Sequence, residues 1–343
     1  MKIINVFLKN KAPYLFYMLL NMHQRVRIKR PNFKPLHLMA EVTNNCNLKC
    51  KMCGNRLMKT KRGVMDLSLF KKVVMQCQEF GISDISLHTI GEPLLHPHII
   101  DIIKITKESN LKVLLSTNAL LLDKQISEAI ITSGLDFIRY SIEGIDKSSY
   151  EQIRCGSNFE RVMSNIAYFK KIRDSQGRSP YITINSIMMK SLLGTVADFY
   201  RLWGKFADEI YFTYIGNFNQ IPHEEIKNEV LKEEPPLKRR PCYMLWETMV
   251  VQWDGKVSAC CMDFENELIV GDINKNTLWE IWESDIYNKI RQYHLKREFN
   301  PISLCKRCDA GNRSTVMELF KLNQSLLKLK NRGDKIVRYL RHL

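Results

Sequence analysis

Six short β-rich runs, each separated from the next by one amphipathic stretch of helical period, constrain this chain more than any other feature. The runs are 36–42, 84–88, 112–116, 137–141, 181–188 and 209–213. Between them, apolar residues recur at helical spacing over 67–80, 98–109, 123–133, 159–174 and 195–206. Asp66 and Asn158 stand where N-caps belong, and Gly81 and Gly134 where helices should stop. Single helices between successive strands call for a parallel sheet with right-handed crossovers. Curled part-way closed, that sheet is an α/β fold, a partial (β/α)6 TIM-like barrel. Its active site then lies at the carboxyl ends of the strands.

The pattern breaks over 220–240, a polar, charged stretch containing Pro235-Pro236, which reads as a linker. Beyond it, β-rich runs over 248–253 and 256–260 flank Asp254-Gly255, a strong hairpin signal. Short helical runs follow over 278–283 and 286–293. The expected organisation is therefore an N-terminal arm (1–35), a core barrel (36–219), the linker, a small cysteine-bearing domain (241–312) and a C-terminal helix (313–343).

The formal net charge of +16 is uneven. Residues 1–35 carry eight Lys/Arg and no acid, and residues 313–343 carry eight against Glu318 and Asp334; 16 minus 14 leaves +2 for the rest. The basic character thus sits in two tails, which suit an anionic partner: a membrane surface, nucleic acid or a phosphorylated substrate. Aromatic residues among the N-terminal basic ones suit nucleic acid. The apolar run Tyr14–Leu20, and Leu319, Leu322, Leu326, Leu329 and Ile336 near the other end, suit an interfacial membrane helix as well. No apolar run reaches the length of about 18 residues that spans a bilayer, and no cleavage site follows the N-terminal stretch. Seven of the ten cysteines fall into two sets with ligand spacing rather than a disulfide framework. A reducing cytoplasm, with the enzyme at most peripheral to the membrane, is the expected location.

Cys46, Cys50 and Cys53 place three thiols within eight residues, directly after the first strand. Three thiolates hold three corners of a [4Fe–4S] cube and leave the fourth iron open. A structural zinc site would need a fourth ligand, and none is nearby in sequence. Cys242, Cys260, Cys305 and Cys308 form a second set that closes a complete four-thiolate shell, for which zinc and [4Fe–4S] both qualify. Cys77 lies in a helical run and reads as core; Cys155 has no assigned role.

Cys46-x3-Cys50-x2-Cys53 after a first strand resembles the signature of the radical S-adenosylmethionine (radical SAM) superfamily. The resemblance implies that the open iron binds the amino and carboxylate groups of the cofactor's methionine. Reductive cleavage then yields a 5′-deoxyadenosyl radical, with the electron drawn from a donor such as flavodoxin or ferredoxin. Gly91-Glu92-Pro93 after the second strand resembles the motif that holds the cofactor's ammonium group, although Ile90 stands where many relatives have another glycine. Ser116 and Asn118 at the third strand's end, Ser141 and Glu143 at the fourth's, and Arg154 resemble positions facing the ribose or the methionine carboxylate. Met52 resembles the apolar position beside the adenine. No general base or other catalytic side chain is assigned.

Residues 240–312 are similar to the C-terminal extension of the SPASM/Twitch group, in the shortened form with one auxiliary [4Fe–4S] cluster. Cys260 matches the family interval better than Cys261, whose side chain should point to the opposite face of the hairpin. The resemblance implies dehydrogenation of a polar small molecule, such as a sugar or cyclitol alcohol, free or phosphate- or nucleotide-linked. Radical modification of a peptide or protein is the alternative. From a different class comes a non-catalytic, metal-stabilised module that binds nucleic acid or membrane through its tails.

Overall fold

The computed structural model describes residue 28 and residues 33–177, 179–214, 226–229, 239–306 and 308. The basic N-terminal arm, most of the 220–240 stretch and the C-terminal helix of the sequence reading lie outside the described residues.

Six parallel strands appear where the sequence places them: β1 (His37–Ala40), β2 (Asp84–Ser86), β3 (Lys112–Thr117), β4 (Phe137–Ser141), β5 (Tyr181–Met188) and β6 (Glu209–Tyr214). Five of the helices are those expected from apolar spacing: α1 (Leu67–Phe80), α2 (Ile99–Glu108), α3 (Lys124–Thr132), α5 (Phe159–Ser175) and α6 (Val196–Trp203). Between β4 and α5 lies a helix the apolar spacing does not announce, α4 (Lys147–Ile153). It is set by a capping box, in which Asp146 accepts from Ser149 N and Ser149 Oγ reaches back. Asp66 and Asn158 cap α1 and α5 through Ser68 N and Arg161 N, and Gly81 ends α1 in the left-handed region.

Strand alternation builds two faces. In β5, Ile182, Ile184 and Met188 are fully buried, whereas Thr183, Asn185 and Ile187 alternate with them and are half-buried. The first set lies beneath the helices: Tyr140 of β4 meets Phe169 of α5 edge-on, with ring centroids 6.2 Å apart. Each buried Ile, Leu or Phe on this face contributes about 1.5–3 kcal/mol. The other face, more polar, lines the inside of the partial barrel.

The cysteine-bearing domain is not a separate appendage. Strand β7 (Thr248–Val251) pairs in parallel with β1, His37 opposite Thr248 and Ala40 opposite Val251. The hairpin partner β8 (Lys256–Ser258) and β9 (Ile269–Asp272), which no sequence signal announced, follow antiparallel. One nine-stranded sheet results, in the order β6-β5-β4-β3-β2-β1-β7-β8-β9. The short helices α7 (Met244–Glu247), α8 (Leu278–Trp282), α9 (Asp285–Lys296) and α10 (Ser303–Lys306) complete it. The expected linker is also partly anchored: Ile226 is buried, and Glu229 accepts from Ser191 N and Oγ. Among the described residues, no helix is long and apolar enough to cross a membrane.

Candidate active site

The loop after β1 carries Cys46, Cys50 and Cys53, and the fold clamps it on three sides. Asn44 binds the 61–63 segment, its Oδ1 accepting from Gly63 N at 2.8 Å and its Nδ2 donating to Lys61 O at 2.9 Å. Arg62 returns to Asn44 O at 2.6 Å, and Asn55 bridges Asn44 O and Ile90 O. After β2, Glu92 N donates to Asn45 O at 2.8 Å. After α4, Ile153 O and Cys155 O accept from Lys51 N and Lys49 N.

The three thiols lie close enough to influence one another's ionisation. Burial pushes Cys46 up to about 11 and Cys50 up to about 12, and it raises Cys53 as well. Buried thiols without a counter-charge stay protonated, so the thiolate form that ligates metal needs positive charge beside it. Arg154 supplies some: its Nη1 lies 3.9 Å from Cys50 Sγ, and its Nε pairs with buried Glu143.

Glu92, 2% exposed, caps the turn at Pro93 and accepts from Leu94 N (3.1 Å), Thr117 Oγ1 (2.7 Å) and Asn118 N (2.8 Å). Burial raises its pKa while those donors oppose the rise. Its carboxylate is close enough to Cys46 for each to affect the other's charge. Asn118 Nδ2 donates to Asn47 Oδ1 in the cysteine loop, and Asn47 Nδ2 is shielded from solvent with no hydrogen-bond partner among the described residues. That orphaned donor, beside a buried carboxylate and three convergent thiols, fits a polar cofactor seated on an iron–sulfur cluster. Met52 is buried, and Ser116 and Ser141 are half-buried on the inner face. Gly91 also lies against the cysteine loop. A Cβ there would lie 2.0 Å from Thr43 O, so its lack of a side chain lets the turn approach the cysteine loop's backbone.

At the second set, Cys242 feels Cys260, Cys308 and Cys305, and Cys305 feels Cys260 and Cys308. All four therefore converge, although they come from three separate segments. β8 ends at Ser258, before either Cys260 or Cys261, so strand alternation does not assign their side chains to opposite faces, and the two lie close enough to affect each other's ionisation. Cys77 is buried in α1. Among the described residues, no three His, Cys, Asp or Glu side chains are grouped as ligands of a single metal ion; the fit to clusters rests on thiol donors and their convergence.

Three residues of this region carry no signal in the sequence reading. His294 of α9 accepts from Cys242 N through Nδ1 (3.1 Å) and contacts Cys305 Sγ through Nε2 (3.4 Å). Burial pushes it down to about 4, so it is neutral. A histidine at helical spacing in a polar helix looks like any surface residue. Glu41, at the end of β1, is buried and bonded by Thr89 Oγ1 and the Trp253 N–H. Trp253 lies so close over Gly63 that a Cβ there would be 2.3 Å from its ring. With Thr60 Oγ1 bonded to Phe264 O, this joins the first cysteine loop's strap to the hairpin domain.

Comparison with known proteins brings three further findings. The family model described as the radical SAM superfamily matches residues 40–191, and that of an iron–sulfur cluster-binding domain, SPASM, matches residues 242–309. The tungsten-containing aldehyde ferredoxin oxidoreductase cofactor-modifying protein of Pyrococcus furiosus is 22% identical over 80% of this chain and 88% of its own length. Two solved structures share the fold. Streptococcus suis SuiB bound to S-adenosylmethionine matches with TM-score 0.64, 17% identity, 88% of this chain and 79% of that one. BtrN in complex with AdoMet and 2-DOIA matches with TM-score 0.55, 19% identity, 80% of this chain and 93% of that one.

Proposed function

This chain is a radical SAM enzyme of the SPASM-containing group, and on that premise we propose that it dehydrogenates the carbinol of a polar small molecule. Its cofactors are a SAM-binding [4Fe–4S] cluster, an auxiliary cluster and S-adenosylmethionine. Bound, they supply a hydrogen-abstracting oxidant and a one-electron acceptor.

Cys46, Cys50 and Cys53 hold the first cluster, and Arg154 offsets the charge their thiolates bring. Glu92 and Glu143 meet the cofactor's charged groups, with Gly91-Pro93, Asn118, Ser116, Ser141 and Met52 shaping the rest of its seat. Glu92 arrives preorganised, because Leu94, Thr117 and Asn118 fix its carboxylate before any ligand binds. Cys242, Cys260, Cys305 and Cys308 hold the auxiliary cluster.

The convergence of those four thiols carries the reading. A fully protein-ligated site has no position for substrate, so electron transfer is its natural task. A carbinol that has lost a hydrogen atom must still lose one electron and one proton to become a carbonyl, and a cluster held by these four thiols would supply one-electron acceptor chemistry. The likeness to BtrN, solved with AdoMet and the small molecule 2-DOIA, supports this reading; that to Streptococcus suis SuiB, solved also with its precursor peptide SuiA, supports the second, modification of a peptide.

The test is turnover by anaerobically loaded enzyme, with flavodoxin or ferredoxin as donor, on sugars and cyclitols. A product two hydrogens lighter, formed with one 5′-deoxyadenosine each, is expected. Turnover of a peptide with none of the small molecules oxidised would replace this reading with the second.

A further inference from the structure

The inner face of the barrel strands holds a cluster of one guanidinium and two neutral donors that neither cysteine set uses. Arg139, in the middle of β4, sits half-buried with its guanidinium carbon 5.7 Å from the Tyr211 ring centroid of β6, and it hydrogen-bonds the Tyr211 side chain. His88, two residues past β2, is close enough for Arg139 to affect its ionisation. Arg139 Nε and His88 Nδ1 are both shielded from solvent, and neither meets a hydrogen-bond partner among the described residues.

Two other buried cations of the fold have carboxylate partners, Arg154 with Glu143 and Arg173 with Asp208, while Arg291 instead donates to the carbonyls Leu245 O and Trp282 O. His37, on the same inner face, is held by Asp84 and Ser86. Arg139 has no carboxylate partner among the described residues. Withdrawing a guanidinium from water without a counter-charge is unfavourable, so its place facing the barrel interior calls for a ligand that supplies the charge.

Burial pushes His88 down to about 3, with Arg139 and His37 adding to the effect, so the imidazole is neutral and has an N–H to donate. Beside the cluster, Asn185 and Thr213 touch only at 3.4 to 3.5 Å, which leaves their polar atoms largely available.

We infer that Arg139, His88 and Tyr211 form a subsite for an anionic group of the substrate, a phosphate or a carboxylate. The guanidinium fork matches either oxyanion in two-point geometry, and the imidazole and phenol add single donors. The inference deepens the proposed function and rests on it for the word substrate, since the inner face is where a radical SAM enzyme works on one.

The probes are sodium phosphate and sodium acetate against sodium chloride at equal ionic strength, titrated into the cluster-loaded protein while its melting temperature is followed. The wild type should show a rise that grows with the logarithm of anion concentration, about 2 °C at ten times the dissociation constant. A rise in phosphate alone assigns a phosphorylated substrate, one in acetate alone a carboxylate, and either supports the subsite. Arg139→Gln should abolish the rise. If that variant does not fold, Arg139→Lys and His88→Gln replace it, and both should weaken the rise. No rise in the wild type with either anion, or an undiminished one in the variants, overturns the inference. Cleavage of S-adenosylmethionine by the same wild-type preparation is measured separately. Its absence would sink the proposed function and leave the anion result to stand on its own.

Discussion

Replacing Glu41 by glutamine should flatten the protein's stability as pH rises. Glu41 ends β1 beneath the hairpin turn, and its carboxyl is raised from 4.5 to about 7. Burial is the main cause; the Thr89 hydroxyl, the Trp253 N–H and Arg62 oppose it, and Asp254 adds to it. Because the folded value lies above the unfolded one, the folded state holds the proton more tightly between about 4.5 and 7. Stability from this group is full below 4.5 and is lost as pH climbs through that window. The whole shift corresponds to about 3 kcal/mol, of which about 2 falls between pH 5.5 and 7. Glutamine cannot ionise, and it can accept from only one of the two donors through its single oxygen, which lowers stability by about 1 kcal/mol at every pH. That offset leaves the slope untouched. Anaerobic urea titrations of both proteins at pH 5.5 and pH 8 should therefore show the variant gaining about 2 kcal/mol on the wild type. Parallel pH dependences would refute the account, because they would mean that Glu41 is ionised in the fold at pH 5.5.

Two further outcomes follow from contacts that only the structure shows. Gly91→Ala puts a methyl into the Thr43 carbonyl; it should destabilise the protein by about 1–3 kcal/mol and lower iron bound at the first site, as read by melting temperature and iron per chain. His294→Phe removes the acceptor for Cys242 N–H and the contact with Cys305. It should destabilise by about 1–3 kcal/mol and shift the anaerobically loaded iron from about eight per chain towards about four; full loading with unchanged spectra would contradict it.

The barrel was readable because its strands and helices carry period and caps in the sequence itself. Asp66 and Asn158 cap where expected, and α1 spans the residues its apolar spacing marks. Short or locally capped pieces escaped. Helix α4 depends on the Asp146–Ser149 box rather than on an apolar stripe, and β9 is too short for alternation to register. The pairing of β7 with β1 joins residues some 200 positions apart, and nothing local encodes it. At the site, ligand type was legible from thiol spacing. The partners that hold those thiols were not, because Asn44, Asn55, Arg62 and His294 act through contacts made only once distant segments meet.

Strand β1 runs into the loop bearing Cys46, whereas its parallel neighbour β7 turns at Asp254-Gly255 into β8, which runs back the other way and ends just before Cys260. Adjacent strands stand about 4.8 Å apart and are locked by a ladder that does not stretch. The two sulfur-bearing segments thus leave opposite ends of the same paired strands, and the ladder fixes the distance between them. An electron crossing it should meet one fixed span until the ladder unzips, and exchange between the two sites should then vanish abruptly instead of fading with temperature.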